Sequence, residues 1–309
     1  MKVLVTGTSG FIGSHLSRRL LELGHEVHSF KRTMSDSWRL ADIRENIVQH
    51  IVDLRDADMV NRAVEKIRPQ VVYHCATYGG FADQIDTSII FESNFLGTVN
   101  LLKACEKVGF DYFVNTGSSS EYGIKSRPMD EDNALEPNSD YGVSKAAATL
   151  FCQSEGLNKR LPIATLRLFS PYGPWDDPKR LIPYVIKSFL RNEAPQLTSP
   201  VSVRDFIYID DVLDAYVTVI KSPFFGDIFN IGSGLQHSVG DVVTIVKAII
   251  HPRSEPAWGT AAKQRQEPGL WVAMNKKASK YISWNPTTSL TSGLQKTVVW
   301  IKNNPHLYP

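Results

Sequence analysis

Tyr141-Gly-Val-Ser-Lys145 is the spacing in this sequence most suggestive of chemistry. Positions i and i+4 of a helix share a face, so the lysine ammonium stands beside the phenol. A positive charge there favours the phenolate, which suits proton donation to, or removal from, a substrate oxygen. Tyr and Lys four apart are common by chance, and context adds the signal. Pro137-Asn-Ser-Asp140 is a good helix start, and upstream a strand-like run ends in Gly117-Ser118-Ser119-Ser120-Glu121-Tyr122-Gly123, which brings hydroxyls to the same edge.

A second constellation, Thr6-Gly7-Thr8-Ser9-Gly10-Phe11-Ile12-Gly13, spaces its glycines three apart. Glycines between a strand and a helix permit a tight turn and let a pyrophosphate approach backbone N–H groups where the helix dipole favours an anion. Because the pattern follows the first strand and opens a helix within a βαβ unit, it predicts dinucleotide binding. The choice of dinucleotide falls to the end of the second strand. An acid there accepts hydrogen bonds from the ribose 2′-hydroxyl of NAD, whereas cations accommodate the 2′-phosphate of NADP. The sequence has EVHSFKRT, so Lys31 and Arg32 predict NADP, with NAD as the alternative if the pair is only a solvated loop. The preference is a few kcal/mol at most, since a charge-assisted bond contributes about 1.5–3 kcal/mol. Asp53 and Leu54, after the third strand, are expected beside the adenine.

Positioning these groups requires an alternating chain. KVLVTG (2–7) reads as a buried strand, 15–24 as a helix ending at Gly24, and HEVHSF (25–30) as the next strand. Further strands are expected in NIVQHIVDL, QVVYHCAT, DYFVNTGS and PIATLRLF, with helices in ADMVNRAVEKIR, around 89–109 and over 140–157. This order predicts an α/β fold, a doubly wound parallel sheet with ligands beyond the carboxyl ends of its strands. From Ser170 the texture changes to proline-rich loops, read as a smaller second lobe. FIYIDDVLDAYVTVI (206–220) and DIFNIG (227–232) are expected to return to the first sheet.

The bulk numbers narrow the classes. At 309 residues and 42% hydrophobic content the chain can bury a large core. A net charge of +2, from 34 basic and 32 acidic residues, gives no field to recruit nucleic acid or a membrane surface. No leader or membrane span is read from the sequence, so the cytoplasm is the expected compartment. Cys75, Cys105 and Cys152 lie far apart in apolar contexts and read as reduced thiols, with neither a metal site nor a disulfide framework.

TGxxGxxG with Phe11, the Ser-rich strand end, YxxxK and the downstream VRDFIYIDD together resemble the extended short-chain dehydrogenase/reductase family, and within it the nucleotide-sugar epimerase/dehydratase/reductase group. The resemblance runs from Met1 to about residue 304. It implies a Rossmann-type domain over 1–169, with 206–231 joining it, and a smaller C-terminal substrate-binding domain from 170–205 and 232–309. Tyr141 is then the general acid/base, Lys145 holds the nicotinamide ribose and tunes Tyr141, and Ser118 hydrogen-bonds the reacting sugar oxygen. Gly7, Ser9, Gly10, Phe11, Ile12, Gly13, Cys75, Ala76, Asn94 and Phe169 match cofactor-lining positions. Arg204 and Arg265 match the pair that clamps a substrate diphosphate, a task suited to a planar charged fork. Ser119, Ser120, Ser170, Arg180 and Leu181 match substrate contacts, although Ser170 stands where many epimerases carry Asn. The acid at the end of the second strand is missing.

Three reactions share this framework. Dehydratases of the group follow the catalytic Ser or Thr with Asp-Glu or Ser-Glu, whereas here Ser119 and Ser120 hold those places and Glu121 comes one later, which disfavours 4,6-dehydration. GSSSEYG with GVSK is similar to the loop of GDP-4-keto-6-deoxymannose reductases. With the NADP reading, the leading expectation is an NADPH-dependent reductase of a nucleotide-diphosphate 4-keto-(6-deoxy)hexose, with hydride to C4 and Tyr141 as proton donor. The alternative is an NAD(P)-dependent nucleotide-sugar 4-epimerase working through a transient 4-keto intermediate. A non-catalytic dinucleotide-binding protein is disfavoured by the intact Ser118, Tyr141 and Lys145. The resemblance also implies a homodimer, through a four-helix bundle built from the helices at 89–109 and 140–157. Base and sugar recognition falls to loops around 78–86, 170–180 and 192–203.

Overall fold

The computed structural model of the chain describes residues 1–33, 38–81, 83–261 and 268–308. Its centre is a seven-stranded parallel sheet of β1 (Lys2–Thr6), β2 (Glu26–Lys31), β3 (Val48–Ile51), β4 (Val71–His74), β5 (Tyr112–Ser118), β6 (Ile163–Leu168) and β11 (Phe225–Ile231), in the spatial order β3-β2-β1-β4-β5-β6-β11. The order reverses at β1, so a crevice opens between the carboxyl ends of β1 and β4, where ligands of doubly wound folds bind.

The helices that cover the sheet are α1 (Phe11–Glu22), α2 (Ala57–Ile67), α3 (Thr87–Phe91), α4 (Gly97–Val108), α5 (Asp140–Lys159) and α7 (Ile209–Val219). Alternation along β1 fixes the two faces. Val3 and Val5 join one apolar cluster with Leu16, Leu20 and Tyr216, while Leu4 joins another with Val60, Val64, Leu101 and Phe113. The expected helix at 89–109 begins at Thr87 and carries a π-helical turn at Glu92–Leu96 that ends it as α3 and restarts it as α4. Two helix starts are fixed locally: Asp56 accepts from Met59 N–H at 2.9 Å, and Ser139 accepts from Gly142 N–H at 3.1 Å.

Beyond β6 the chain adds short ladders: β7 (Ser170–Tyr172) with β10 (Phe206–Tyr208), β8 (Gln196–Leu197) with β13 (Ala257–Trp258), and β9 (Val203–Arg204) with β12 (His237–Ser238). Helices α6 (Leu181–Leu190), α8 (Val239–Ile250) and α10 (Leu290–Asn303) pack on one another there, whereas α9 (Lys276–Ile282) lies against β11 and α7, and Ile182, Val185, Val242 and Leu294 extend the first apolar cluster into this lobe. Of the two segments expected to return to the main sheet, Phe225–Ile231 does so as β11, whereas Phe206–Tyr208 pairs with β7 and runs directly into α7. No described helix is long and apolar enough to cross a membrane.

The loop before α6 passes behind the glycine loop and is gripped from three sides. His15 Nε2–H donates to the Pro174 carbonyl at 2.7 Å, Arg39 donates to the carbonyls of Trp175 at 2.7 Å and Ser9 at 3.2 Å, and the Tyr308 hydroxyl donates to the Asp176 carbonyl at 3.0 Å. Burial there pushes the Asp176 carboxyl up to about 7, against the weaker opposing pull of Arg180, the Asp177 N–H and Arg39, while the Asp177 carboxylate pushes the same way as burial. A carboxyl raised on folding adds stability that is complete below its unfolded value near 4 and disappears as pH climbs to about 7. Asp176→Asn, which keeps the acceptor for the Asp177 N–H, is therefore expected to exceed the parent in urea midpoint at pH 8 and to lose that advantage at pH 4–5. Equal midpoints at both pH values would refute it.

Candidate active site

The glycine loop joins β1 to α1. Gly7 has φ +71, and a Cβ on it would lie 2.7 Å from the Ala76 backbone; one on Gly13 would lie 2.3 Å from the Gly7 carbonyl oxygen. Both positions exclude any side chain, and the loop packs directly on the end of β4. Gly10 caps α1 without a side-chain partner for its first N–H groups, and no acid occupies the first turn. The buried Thr8 Oγ1 has no partner among the described residues either. Orphan donors at a helix start, a backbone that nothing but glycine permits and an unsatisfied hydroxyl suit a pyrophosphate. Ser9, Phe11 and Ile12 ring this turn.

Lys31 closes β2 half-buried, and Arg32 follows, exposed. The Val52 N–H donates to the Lys31 carbonyl at 3.0 Å, which brings Asp53 and Leu54 alongside. Asp53 is engaged by Arg55 at 2.7–3.1 Å, and these bonds, with Arg32 adding a smaller attraction, hold its carboxyl below the usual range. Leu54 packs inward against Gly97.

Ser118 is the last residue of β5, and Tyr141 lies in the first turn of α5. Gly142 brings the two segments together, because its backbone approaches so closely that a Cβ would lie 2.6 Å from the Ser120 carbonyl oxygen. Lys145, one turn on, is buried; its ammonium reinforces the effect of burial in holding His74 neutral, with a pKa near 3. His74 is structural, its ring bridging Thr6 Oγ1 at 2.7 Å and Thr98 Oγ1 at 2.9 Å. Cys75 follows on the same strand end, its thiol pushed up to about 11 chiefly by burial, and the Ala76 N–H donates to Thr6 Oγ1 at 3.2 Å. Asn94 sits in the π-helical turn with its amide fully engaged, accepting from Thr77 and the Tyr78 N–H and donating to the Tyr78 carbonyl and Ser144 Oγ at 2.8–3.2 Å. It ties the loop after β4 to α5, and so acts on the crevice through the backbone. Phe169 is buried against Tyr122, Met129 and Ala273.

Of the residues expected to contact a substrate, Ser119 is buried and Ser120 half-buried beside Ser118. The Ser170 N–H donates to the Asp205 carbonyl at 3.0 Å. Arg180 caps α6 just before the half-buried Leu181; its guanidinium covers the Phe81 ring at 4.5 Å and donates to the Gly80 carbonyl at 3.0 Å, which ties the 79–81 loop to the start of α6. Arg204 lies on β9, half-buried, and donates to the Val203 carbonyl at 2.6 Å. Arg265 falls outside the described residues.

Three features escaped the sequence reading. Trp271 Nε1–H donates to Ser119 Oγ at 3.2 Å, so an indole from the second lobe walls the serine turn, and its only sequence signal was an aromatic a few residues past Arg265. Asp205, within the VRDF segment, is buried and accepts from the N–H groups of Ser233, Gly234 and Ala273 and from Ser233 Oγ. Glu121 is sealed in an ion pair with Arg167 at 2.7 Å.

Compared with known proteins, the chain matches the profile of the NAD dependent epimerase/dehydratase family over residues 3–232. A putative UDP-glucose 4-epimerase of Methanocaldococcus jannaschii is 28% identical, with 98% of this chain and 99% of that protein covered. The solved structure of the Thermotoga maritima UDP-glucose 4-epimerase with UDP-glucose superimposes with a TM-score of 0.91 at 26% identity, covering 99% of this chain and 100% of that one. That of the Thermus thermophilus UDP-glucose 4-epimerase in complex with NAD gives 0.88 at 28%, covering 98% and 99%.

Proposed function

The chain belongs to the NAD dependent epimerase/dehydratase family, and on that premise we propose that it interconverts the C4 epimers of a nucleotide-diphosphate sugar through a transient 4-keto sugar. What carries this reading is the end-to-end similarity to 4-epimerases, combined with a serine and a Tyr/Lys pair at the carboxyl edge of the sheet. The reductase expected first from Lys31 and Arg32 has less behind it, since the relatives named above are epimerases and the dinucleotide named with one of them is NAD. Dehydration is disfavoured too. Both oxygens of Glu121 are engaged in the interior, and the two positions nearer Ser118 are serines without a carboxylate to expel water.

In this mechanism the Tyr141 phenolate takes the proton from the sugar O4 as hydride leaves C4, and returns it when hydride comes back to the other face. Ser118 donates a hydrogen bond to the same oxygen as it becomes a carbonyl. Lys145 supplies the fixed positive charge beneath the phenol. The chemistry that a bound NAD would supply is reversible hydride acceptance, so the cycle would consume no net reductant. Gly7, Gly10 and Gly13 would hold its pyrophosphate, and Arg204, together with Arg265, the substrate diphosphate. The Trp271 wall beside Ser119 would border the sugar. A homodimer belongs to this reading: Val143, Leu150 and Leu157 are 39%, 52% and 62% exposed at seven-residue spacing along α5, and Leu96 beside α4 is 47% exposed. Such a stripe suits a helix–helix seam.

Denaturing the purified protein is expected to release NAD at close to one per chain, and incubation with UDP-glucose to accumulate its 4-epimer with no net change in NADH. The same preparation should sediment as a dimer. Net NADPH consumption with a 4-keto nucleotide sugar, and no epimer formed, would overturn the epimerase reading; a monomer would overturn the seam.

A further inference from the structure

Ser118 owes its place to a buried charge. Glu121 and its partner Arg167, on the neighbouring strand β6, are both inaccessible, with side chains 0% and 2% exposed. Glu121 Oε2 accepts from Arg167 Nε at 2.7 Å. Its Oε1 accepts from the Ser118 N–H at 2.8 Å and from Thr149 Oγ1 at 3.0 Å. Thr149 stands one turn beyond Lys145 and two beyond Tyr141 on α5, so one carboxylate joins the end of β5, the helix that carries the phenol, and β6. The far side of the guanidinium is anchored as well: it donates to the Tyr122 hydroxyl at 2.9 Å, which donates to Asn230 Oδ1 at 2.7 Å in β11. Space for the pair exists because residue 117 is glycine. A Cβ there would lie 2.7 Å from Glu121 Oε1 and 2.9 Å from Arg167 Cγ.

Stability is a weak account of this arrangement, because replacing a buried ion pair by apolar residues of similar volume is often neutral or stabilising. What apolar residues cannot supply is a common acceptor for Ser118 and α5. The turn that Glu121 closes also orients the Ser118 hydroxyl: its Oγ accepts from the Ser120 N–H at 3.1 Å, which uses one lone pair and leaves the hydroxyl proton to be donated outward.

We propose that Glu121, held by Arg167 and linked to α5 through Thr149, is a positioning residue that sets the Ser118 hydroxyl against the Tyr141 phenol. This rests on the reading above, in which those two groups act on one sugar oxygen. Misplacing reacting groups by about 1 Å can cost on the order of 10²-fold in rate.

The test is the double variant Glu121→Val with Arg167→Met, which removes the pair without stranding a charge, beside Thr149→Val, which removes only the hydroxyl arm. For the double variant, kcat on the epimerised sugar should fall about tenfold or more with KM and bound dinucleotide unchanged. Thr149→Val should lower kcat by about threefold, again at constant KM, and decides the matter if the double variant does not fold. Turnover within about twofold of the parent in a folded double variant, or an unchanged kcat in Thr149→Val, overturns the proposal. Amide hydrogen exchange supplies a readout that needs no turnover. Faster exchange at 118–122 and in the first turn of α5, with the rest of the sheet still protected, is expected, and parent-like protection there overturns the inference. A parent that turns over no nucleotide sugar overturns the functional reading instead.

Discussion

Tyr141→Phe is expected to lower turnover of a nucleotide sugar by about 10²- to 10⁴-fold, the usual contribution of a positioned general acid/base, while the dinucleotide stays bound. The change removes one oxygen from a ring whose backbone is fixed by the contact of Gly142 with Ser120, so the loss should appear in kcat and not in folding. Steady-state kinetics together with the stoichiometry of released dinucleotide read both quantities. Unaltered turnover would remove Tyr141 from the chemistry, and loss of the dinucleotide along with turnover would make it a binding residue.

The second large effect is expected at Asp205, where Asp205→Asn should cost about 2–4 kcal/mol of stability. The two carboxylate oxygens accept four bonds: Oδ1 from Ser233 N–H and Oγ–H, both at 2.6 Å, and Oδ2 from the N–H groups of Gly234 at 3.0 Å and Ala273 at 2.9 Å. An amide cannot reproduce this. With its NH₂ on the Oδ2 side two backbone N–H groups meet a donor; turned the other way, Ser233 Oγ can reverse its role but the Ser233 N–H is stranded. Because Ala273 lies two residues from Trp271, the wall beside Ser119 should loosen as well, and KM should rise more than kcat falls. Guanidinium denaturation of the two proteins measures the first effect, and a difference under about 0.5 kcal/mol, the range of ordinary surface changes, would show that Asp205 is not the anchor.

Much of the dinucleotide end was legible in the sequence because its signals are local. Gly7 and Gly13 are required by the conformation and approach of a single turn, and a glycine pattern between an apolar strand and a helix says so directly. The Tyr141–Lys145 pair needs only the helical period, and Ser139 four residues before Val143 marks where that helix starts. The reading of Lys31 and Arg32 shows the limit of local signals. Two cations after a strand are compatible with a 2′-phosphate, but the sequence says nothing of what surrounds them, and the neighbouring carboxylate of Asp53 proved to be occupied by Arg55. Apolar periodicity gives the helix at 89–109 its span but not its form, since a π-helical turn has no signature in that periodicity.

By itself, then, the chain determined the alternation of strand and helix, the glycine turn and the two candidate proton-transfer residues, because each depends on neighbours within one or two turns. Tertiary structure alone decided what the acids do. Glu121 could be read as a displaced dehydratase carboxylate until Arg167, 46 residues away, was seen to neutralise it inside the sheet. Asp205 could not be read as an anchor until segments 28 and 68 residues further on delivered their N–H groups to it. Trp271 likewise meets Ser119 across 152 residues of chain. Burial sets the cost of a charge and distant backbone supplies its partners, and neither is written in the spacing of residues along the chain.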